Sequence, residues 1–339
     1  MWCGTKHAVF FDSSDQVWGL GWNDVGQLGL GDTKQAKVPC RIPNLRDIKQ
    51  VACGFWFTVF LDLSGSVWFT GSSLRGEYKP GSRHHSVPIQ VSGLPPIVSI
   101  QCGTNHTICI DENSSMWSFG YNANGQLGLG DFEATDIPMK IPNADNIRLY
   151  STGGHHTIFI NASGEAFSFG RNDFHQLGHP GSSSCPTPKV IEWMKDYDIV
   201  SISVGMMHSA FLTSVGEVYL LGSVGLQHEK GEHDTVLLMD NVEDISSGYS
   251  CLFCIDKERK FHYFGTSKHP KSLRKQVGLV ADISQGGDRV FVRSAEQKMW
   301  YVDCDSSHDD TKPCRVLDFG GIDLARPISV NTQKSARNT

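Results

Sequence analysis

The chain has 339 residues, 35 of them glycine, about one in ten against roughly 7% in ordinary proteins. With 39% hydrophobic and 19% charged residues it has the balance of a folded protein, which excludes a disordered or collagen-like chain. Its net charge of −6 lacks the basic excess that holding a phosphate backbone requires, so nucleic acid is not an expected partner.

No run of about 18 apolar residues marks a membrane span, and Met1-Trp2-Cys3-Gly4 carries neither the basic nor the apolar part of a leader. The chain is therefore expected in the cytoplasm or nucleus, monomeric, with its 10 cysteines reduced.

In chain order, Gly-x-x-His or a variant recurs at Gly4, Gly54, Gly103, Gly153, Gly205, Gly248 and Gly286. A second glycine follows each anchor by 17 positions at Gly21, Gly71, Gly120, Gly170, Gly222 and Gly265, with Asp303 in that place in the last unit. Between the two glycines the pattern is a β-hairpin. His106-Thr-Ile-Cys-Ile110 alternates, a polar turn follows, and Met116-Trp-Ser-Phe-Gly120 is a second, aromatic-rich strand. A glycine-rich loop, a short run near Pro138 and a strand from Ile147 to Tyr150 complete the unit. Repeats of 40 to 50 residues with four strands indicate an all-β, seven-bladed β-propeller over residues 1–325, one blade per unit.

The first unit lacks room for the strand that precedes each later anchor. Pro313-Cys-Arg-Val316 parallels Pro39-Cys-Arg-Ile42, so the C-terminal strand Ile322-Asp-Leu-Ala325 is expected to close the ring on the N-terminal blade. Residues 326–339, with Arg326, Lys334, Arg337 and no acid, are expected to be a flexible basic tail or a link to a further region.

Gly21-Trp-Asn-Asp-Val-Gly-Gln-Leu-Gly-Leu-Gly-Asp32, Gly120-Tyr-Asn-Ala-Asn-Gly-Gln-Leu-Gly-Leu-Gly-Asp131 and Gly170-Arg-Asn-Asp-Phe-His-Gln-Leu-Gly178 resemble the repeat of the regulator of chromosome condensation family. The resemblance implies a seven-bladed propeller that binds protein partners. It admits guanine-nucleotide exchange on a small GTPase of the Ran or Rho type, or the role of a scaffold or targeting module without exchange, with chromatin binding third. In the Ran exchange factor a wedge inserted from one blade disturbs the nucleotide site. Here Gly71 to Pro88 spans 17 residues against 18 from Gly21 to Pro39, so no insertion of wedge size is present.

No catalytic residue, cofactor or metal is expected. His7, His106, His156 and His208 share one phase in separate units and are expected to make the same hydrogen bond, each inside its own blade. Cys251 and Cys254 lie three apart on a strand, so their side chains diverge and suit packing better than a metal. The loop glycines read as tight-turn positions, with Asp32 and Asp131 bonding nearby backbone amides. Partner contact is expected where the repeat pattern fails. The second-unit loop with Arg75, Glu77, Tyr78, Lys79, Arg83, His84 and His85 is one candidate; Arg171, Asp173, Phe174 and His175 in the fourth unit are the other.

Overall fold

The computed structural model describes residues 2–4, 6–72, 84–224, 236–265, 279–286, 289–294, 299–303 and 315–316. One antiparallel sheet recurs along the chain. The first is built from β1 (Trp2–Cys3), β2 (His7–Phe11), β3 (Val17–Gly21) and β4 (Ala36–Arg41), paired in that order. The second follows with β5 (Ile48–Cys53), β6 (Phe57–Asp62), β7 (Val67–Gly71) and β8 (His85–Gln90), and the third with β9 (Ile97–Cys102), β10 (His106–Asp111), β11 (Met116–Gly120) and β12 (Thr135–Lys140). Next come β13 (Ile147–Thr152), β14 (His156–Asn161), β15 (Ala166–Gly170) and β16 (Cys185–Val190), then β17 (Ile199–Val204), β18 (His208–Thr213), β19 (Val218–Gly222) and β20 (Val236–Met239). Among the described residues the next sheet has β21 (Val242–Ser247), β22 (Cys251–Asp256) and β23 (Phe261–Gly265). The last has β24 (Val280–Gly286), β25 (Arg289–Ser294), β26 (Met299–Asp303) and β27 (Arg315–Val316). Two compact units hold these strands. One comprises Met1–Ile147 with Cys185–Pro188, the other Arg148–Ser184 and Lys189–Asp318.

The spacing of 17 residues is a hairpin register. His7 stands opposite Gly21, Phe57 opposite Gly71, His106 opposite Gly120, His156 opposite Gly170, His208 opposite Gly222 and Cys251 opposite Gly265. Asp303 holds the same register place against Arg289. An aspartate fixes the turn in four of these hairpins. Asp12, Asp62 and Asp111 each accept two backbone N–H groups of the turn on one oxygen and the indole N–H of Trp18, Trp68 or Trp117 on the other, at 2.7 to 2.9 Å. Asp256 does the same with His262. Burial works to raise the Asp12, Asp62 and Asp256 carboxyls, but these hydrogen bonds outweigh it and hold them below the usual carboxylate range.

Where burial is described, it is highest on the second strand of a sheet and lowest on the fourth. β10 and β18 are buried along their whole length, so both faces are covered, whereas β4 and β12 are mostly exposed. The outer strands carry Pro39, Pro88 and Pro138, which remove a backbone donor and so blunt an edge that would otherwise pair with another chain. Apolar residues from adjacent sheets fill the space between them. Val9, Val51 and Phe60 pack between the first and second, Phe69, Ile100 and Phe119 between the second and third. In the other unit Ile158, Ile202 and Phe211 do the same, as do Leu220, Ile245 and Leu252.

The strand expected to be missing from the first unit is short rather than absent: Trp2 and Cys3 pair with Val9 and Ala8. Ile322 to Ala325, expected to close the ring, lie outside the described residues.

The anchor glycines mark the closest approach of neighbouring sheets. A Cβ on Gly153 would stand 1.9 Å from the carbonyl oxygen of Gly205, and one on Gly205 would stand 2.6 Å from that of Gly248. Gly4 meets Gly54 in the same way at 2.6 Å. Backbone bonds beside these contacts tie sheet to sheet: Phe55 N–H donates to Thr104 at 2.9 Å, Gly154 to Gly205 at 3.0 Å and Met206 to Tyr249 at 2.9 Å. Gly153→Ala is therefore expected to cost about 3 kcal/mol, because backbone must move. Gly164→Asn, at a φ of 85° with nothing within 4 Å, is expected to cost a few tenths. Thermal or urea unfolding of the two variants checks the difference.

Candidate partner-binding site

The glycine-rich loop after each second glycine is stapled from within. Asn23 accepts the N–H of Leu28 at 2.9 Å and donates to the carbonyl of Asp32 at 2.9 Å, while Gln27 accepts the N–H of Val25 at 3.0 Å. Asn122 and Gln126 repeat this in the third sheet, Asn172 and Gln176 in the fourth. Asp32 and Asp131 accept the N–H of the residue two places on, Lys34 and Glu133. All three Asn–Gln pairs are buried. The motif is thus a self-contained polar plug, and its amides are turned inward rather than towards a phosphate.

His7 and His156 join neighbouring sheets, which differs from the bond inside one blade that the repeat phase suggests. His7 Nε2 meets Thr58 Oγ1 at 2.9 Å, and Thr58 donates to the carbonyl of Gln27 at 2.7 Å. His156 meets Ser209 at 2.9 Å, and Ser209 donates to Gln176 at 2.8 Å. At the position corresponding to Thr58 and Ser209 the next sheet has Leu252, so the His208 ring has no hydrogen-bond partner among the described residues. Burial pushes its pKa down to about 3. His179, in the place of Leu30 and Leu129, meets Ser168 Oγ at 2.8 Å, and burial first, then Lys189, push it down to about 4. Cys251 and Cys254 are both buried free thiols, and burial raises the Cys254 thiol. Among the described residues no three His, Cys, Asp or Glu side chains group as a metal site.

At the loop end of the first five sheets, two positions are locked together by backbone and differ in side chain. The N–H after the second glycine donates to the carbonyl two places after the anchor: Trp22 to Lys6 at 3.0 Å, Ser72 to Trp56 at 2.9 Å, Tyr121 to Asn105 at 2.8 Å, Arg171 to His155 at 2.9 Å and Ser223 to Met207 at 2.8 Å. These side chains are half-buried, except that of Ser72, which is buried. In the first sheet the Lys6 ammonium sits 4.1 Å over the Trp22 ring; in the second, Phe55 and Trp56 lie 4.8 Å apart.

In the fourth sheet Arg171 donates to Asp173 at 2.6 Å and lies 5.6 Å over the Phe174 ring, which is 38% exposed. His155 beside it is held below its usual pKa by burial first and by Arg171 second. His175 adopts a φ of 60° where the other repeats have Gly26 and Gly125, a left-handed backbone rare for residues with a side chain. The structure thus brings Arg171, Asp173 and Phe174 into one cluster, with exposed His175 next along the loop. In the second-unit loop, Arg75, Glu77, Tyr78, Lys79 and Arg83 lie outside the described residues. His84 is half-buried, and His85 opens β8 with its ring edge-on to Phe69 at 6.1 Å. Sequence reasoning missed the paired positions Lys6–Trp22 and His155–Arg171, whose signal was variation at two fixed offsets from the glycines.

A family model, RCC1-like domain, matches residues 1–235. The chain belongs to this family. It is 38% identical over 76 residues, 22% of its length, to the human probable E3 ubiquitin-protein ligase HERC3, and that stretch is 7% of the relative. The structure of human WBSCR16 superposes with a TM-score of 0.73 at 20% identity, covering 86% of this chain and 85% of that one. Prp20p of Saccharomyces cerevisiae superposes at 0.70 with 18% identity, covering 84% and 79%. These two likenesses show the RCC1-type fold.

His208→Phe places at Gly205 the ring that Phe57 already places over Gly54, and is expected to hold or raise the melting temperature. It should also reduce acid sensitivity. The folded imidazole titrates near about 3 against an ordinary 6.5, so the unfolded chain gains a proton first. Its stability is therefore full above about pH 6.5 and falls as pH drops towards 3. His156→Phe instead removes a hydrogen bond and is expected to cost about 1 kcal/mol. Melts at pH 7.5 and 5 check both; an unchanged pH slope in His208→Phe would refute the assignment.

Proposed function

We propose that the chain is a non-catalytic protein-binding platform, a seven-bladed propeller over residues 1–325 whose C-terminal strand, Ile322 to Ala325, completes the blade begun at β1. The parallel between Pro313-Cys-Arg-Val316 and Pro39-Cys-Arg-Ile42 supports the closure. The observation that carries the binding role is the pair of positions at each loop end. Its backbone bond is the same in the first five sheets while its side chains change from Lys6–Trp22 to His155–Arg171. A scaffold needs the first property and a recognition surface the second. Aromatic and arginine side chains with partial burial are what protein interfaces favour.

Guanine-nucleotide exchange on a small GTPase is the most specific activity within this reading. Prp20p is described with its binding to Gsp1p and histones, and exchange requires differential binding of two GTPase states rather than a nucleophile or acid–base pair. The 17-residue span from Gly71 to Pro88, with no wedge-sized insertion, favours the alternative of a scaffold that binds without releasing nucleotide. Chromatin binding ranks third because the chain carries a net charge of −6.

Release of a fluorescent GDP from Ran-type and Rho-type GTPases, paired with pull-down of the same proteins, separates these readings. Acceleration supports exchange; capture without acceleration supports the scaffold; neither with any GTPase removes this partner class. Among proteins that are captured, Trp22→Ala with Arg171→Ala is expected to weaken capture about tenfold or more while the melting temperature holds. Arg75, Tyr78 and Arg83 changed together to alanine test the second-unit loop by the same readout.

A further inference from the structure

A second group of residues, not part of the loop-end pairs, lies where the fourth repeat carries an insertion. Ile42 to Ile48, Val91 to Ile97 and Ile141 to Ile147 are each six residues apart, whereas Ile191 to Ile199 is eight. The two extra residues replace a Pro-Asn type turn with a single 3-10 turn, Glu192–Met194. Met194 is buried beneath it, and Trp193 and Tyr197 lie half-buried against the core formed by β14, β17 and β18.

Tyr219 of β19 faces them. Its ring lies 4.9 Å from Tyr197 and 6.1 Å from Trp193, and Trp193 lies 6.0 Å from Tyr197, all with the planes steeply inclined. Tyr219 is available because its own hairpin departs from the pattern. In the first three sheets the corresponding Trp18, Trp68 and Trp117 are tied to the turn aspartate. In the fifth sheet Thr213 stands in that place, so the Tyr219 hydroxyl donates to Glu217 at 3.2 Å instead.

Carboxylates accompany the three rings. Exposed Glu192, Asp196 and Asp198 are sequence neighbours of Trp193 and Tyr197 on the inserted turn, half-buried Glu217 accepts from Tyr219, and half-buried Glu165 lies near Lys195. The cations nearby include Lys195, already held by Glu192, Arg148, whose guanidinium donates to the carbonyl of Ile199 at 2.9 Å, and Lys257, whose Nζ is 3.4 Å from where a Cβ on Gly216 would stand. The patch therefore offers ring faces in an acidic frame. A guanidinium or ammonium group gains from both at once, by cation–π attraction and by pairing with carboxylates, whereas an acidic or wholly apolar segment would leave the frame unmatched.

We propose that Trp193, Tyr197 and Tyr219, framed by Asp196, Asp198 and Glu217, form a docking surface for an arginine- and lysine-rich segment of a partner protein. It is independent of the GTPase reading, which concerns the loop ends.

The test uses the whole chain and a dye-labelled peptide of alternating arginine, lysine and glycine, with a glutamate-substituted counterpart, followed by fluorescence anisotropy. The cationic peptide is expected to bind and the anionic one not. Asp196→Lys with Glu217→Lys is expected to weaken binding about tenfold or more. Asp24→Lys with Glu133→Lys, which changes the net charge equally on two loops of the other compact unit, is expected to leave it within about twofold. Tyr197→Leu keeps an apolar contact but removes a ring face, and is expected to weaken binding several-fold. Thermal melts verify folding, and Tyr197→Leu decides the matter if the double charge reversal does not fold. Absence of binding, equal binding of both peptides, equal loss in the Asp24→Lys and Glu133→Lys control, or full binding by Tyr197→Leu would each overturn the proposal.

Discussion

Neighbouring sheets touch through glycine, and the distance at that contact leaves no space for a methyl group. Gly153 lies so close to the carbonyl of Gly205 that a Cβ would stand at 1.9 Å, and Gly4 and Gly205 meet the next anchor carbonyl in turn. Everything outward of this contact follows from it. The inter-sheet backbone bonds of Phe55, Gly154 and Met206 form only at this separation, and so does the interdigitation of Val59, Ile100 and Phe119 or of Ile202 and Phe211 further out. Close packing makes such contacts intolerant of added volume, which is why a glycine excess here gives rigidity rather than freedom.

Polar side chains complete the junction. The histidine that covers one anchor glycine reaches a hydroxyl on the next sheet, and that hydroxyl reaches back to the Gly-Gln-Leu-Gly loop of the first. Gln50 spans the inner strands in the same sense, accepting from the N–H and donating to the carbonyl of Ile100. The loop is therefore held from below by the neighbouring sheet and from within by its own Asn and Gln. Such a loop presents its tip residues on a rigid base, so in the proposed binding role side chains at Trp22 or Arg171 would lose little freedom.

Departures from the repeat separate into two kinds. At His208 the missing hydroxyl leaves a buried imidazole without a partner among the described residues, a cost confined to the interior. In the fourth and fifth sheets the departures face outward: His175 takes a glycine position, Trp193 and Tyr197 ride on an inserted turn, and Tyr219 is released from its usual bond. The proposed contacts fall on departures of the second kind, because positions that obey the repeat are occupied in holding sheets together.

The sequence by itself determined the repeat, its β-hairpin register and the family. Glycine spacing reports backbone geometry, and the opposition of His156 to Gly170 is a local consequence of strand and turn length. It also picked out the Arg171 to His175 loop, since a broken local motif is visible without tertiary contacts. It did not reveal that His7 and His156 bond to the next sheet, that the first inner strand persists as Trp2–Cys3, or that Trp193, Tyr197 and Tyr219 converge. Those facts depend on which residues from different repeats come face to face, and a one-dimensional pattern carries the phase of each residue but not its neighbour. Tertiary structure decided them, because sheets packed through glycine leave one place for each side chain to go.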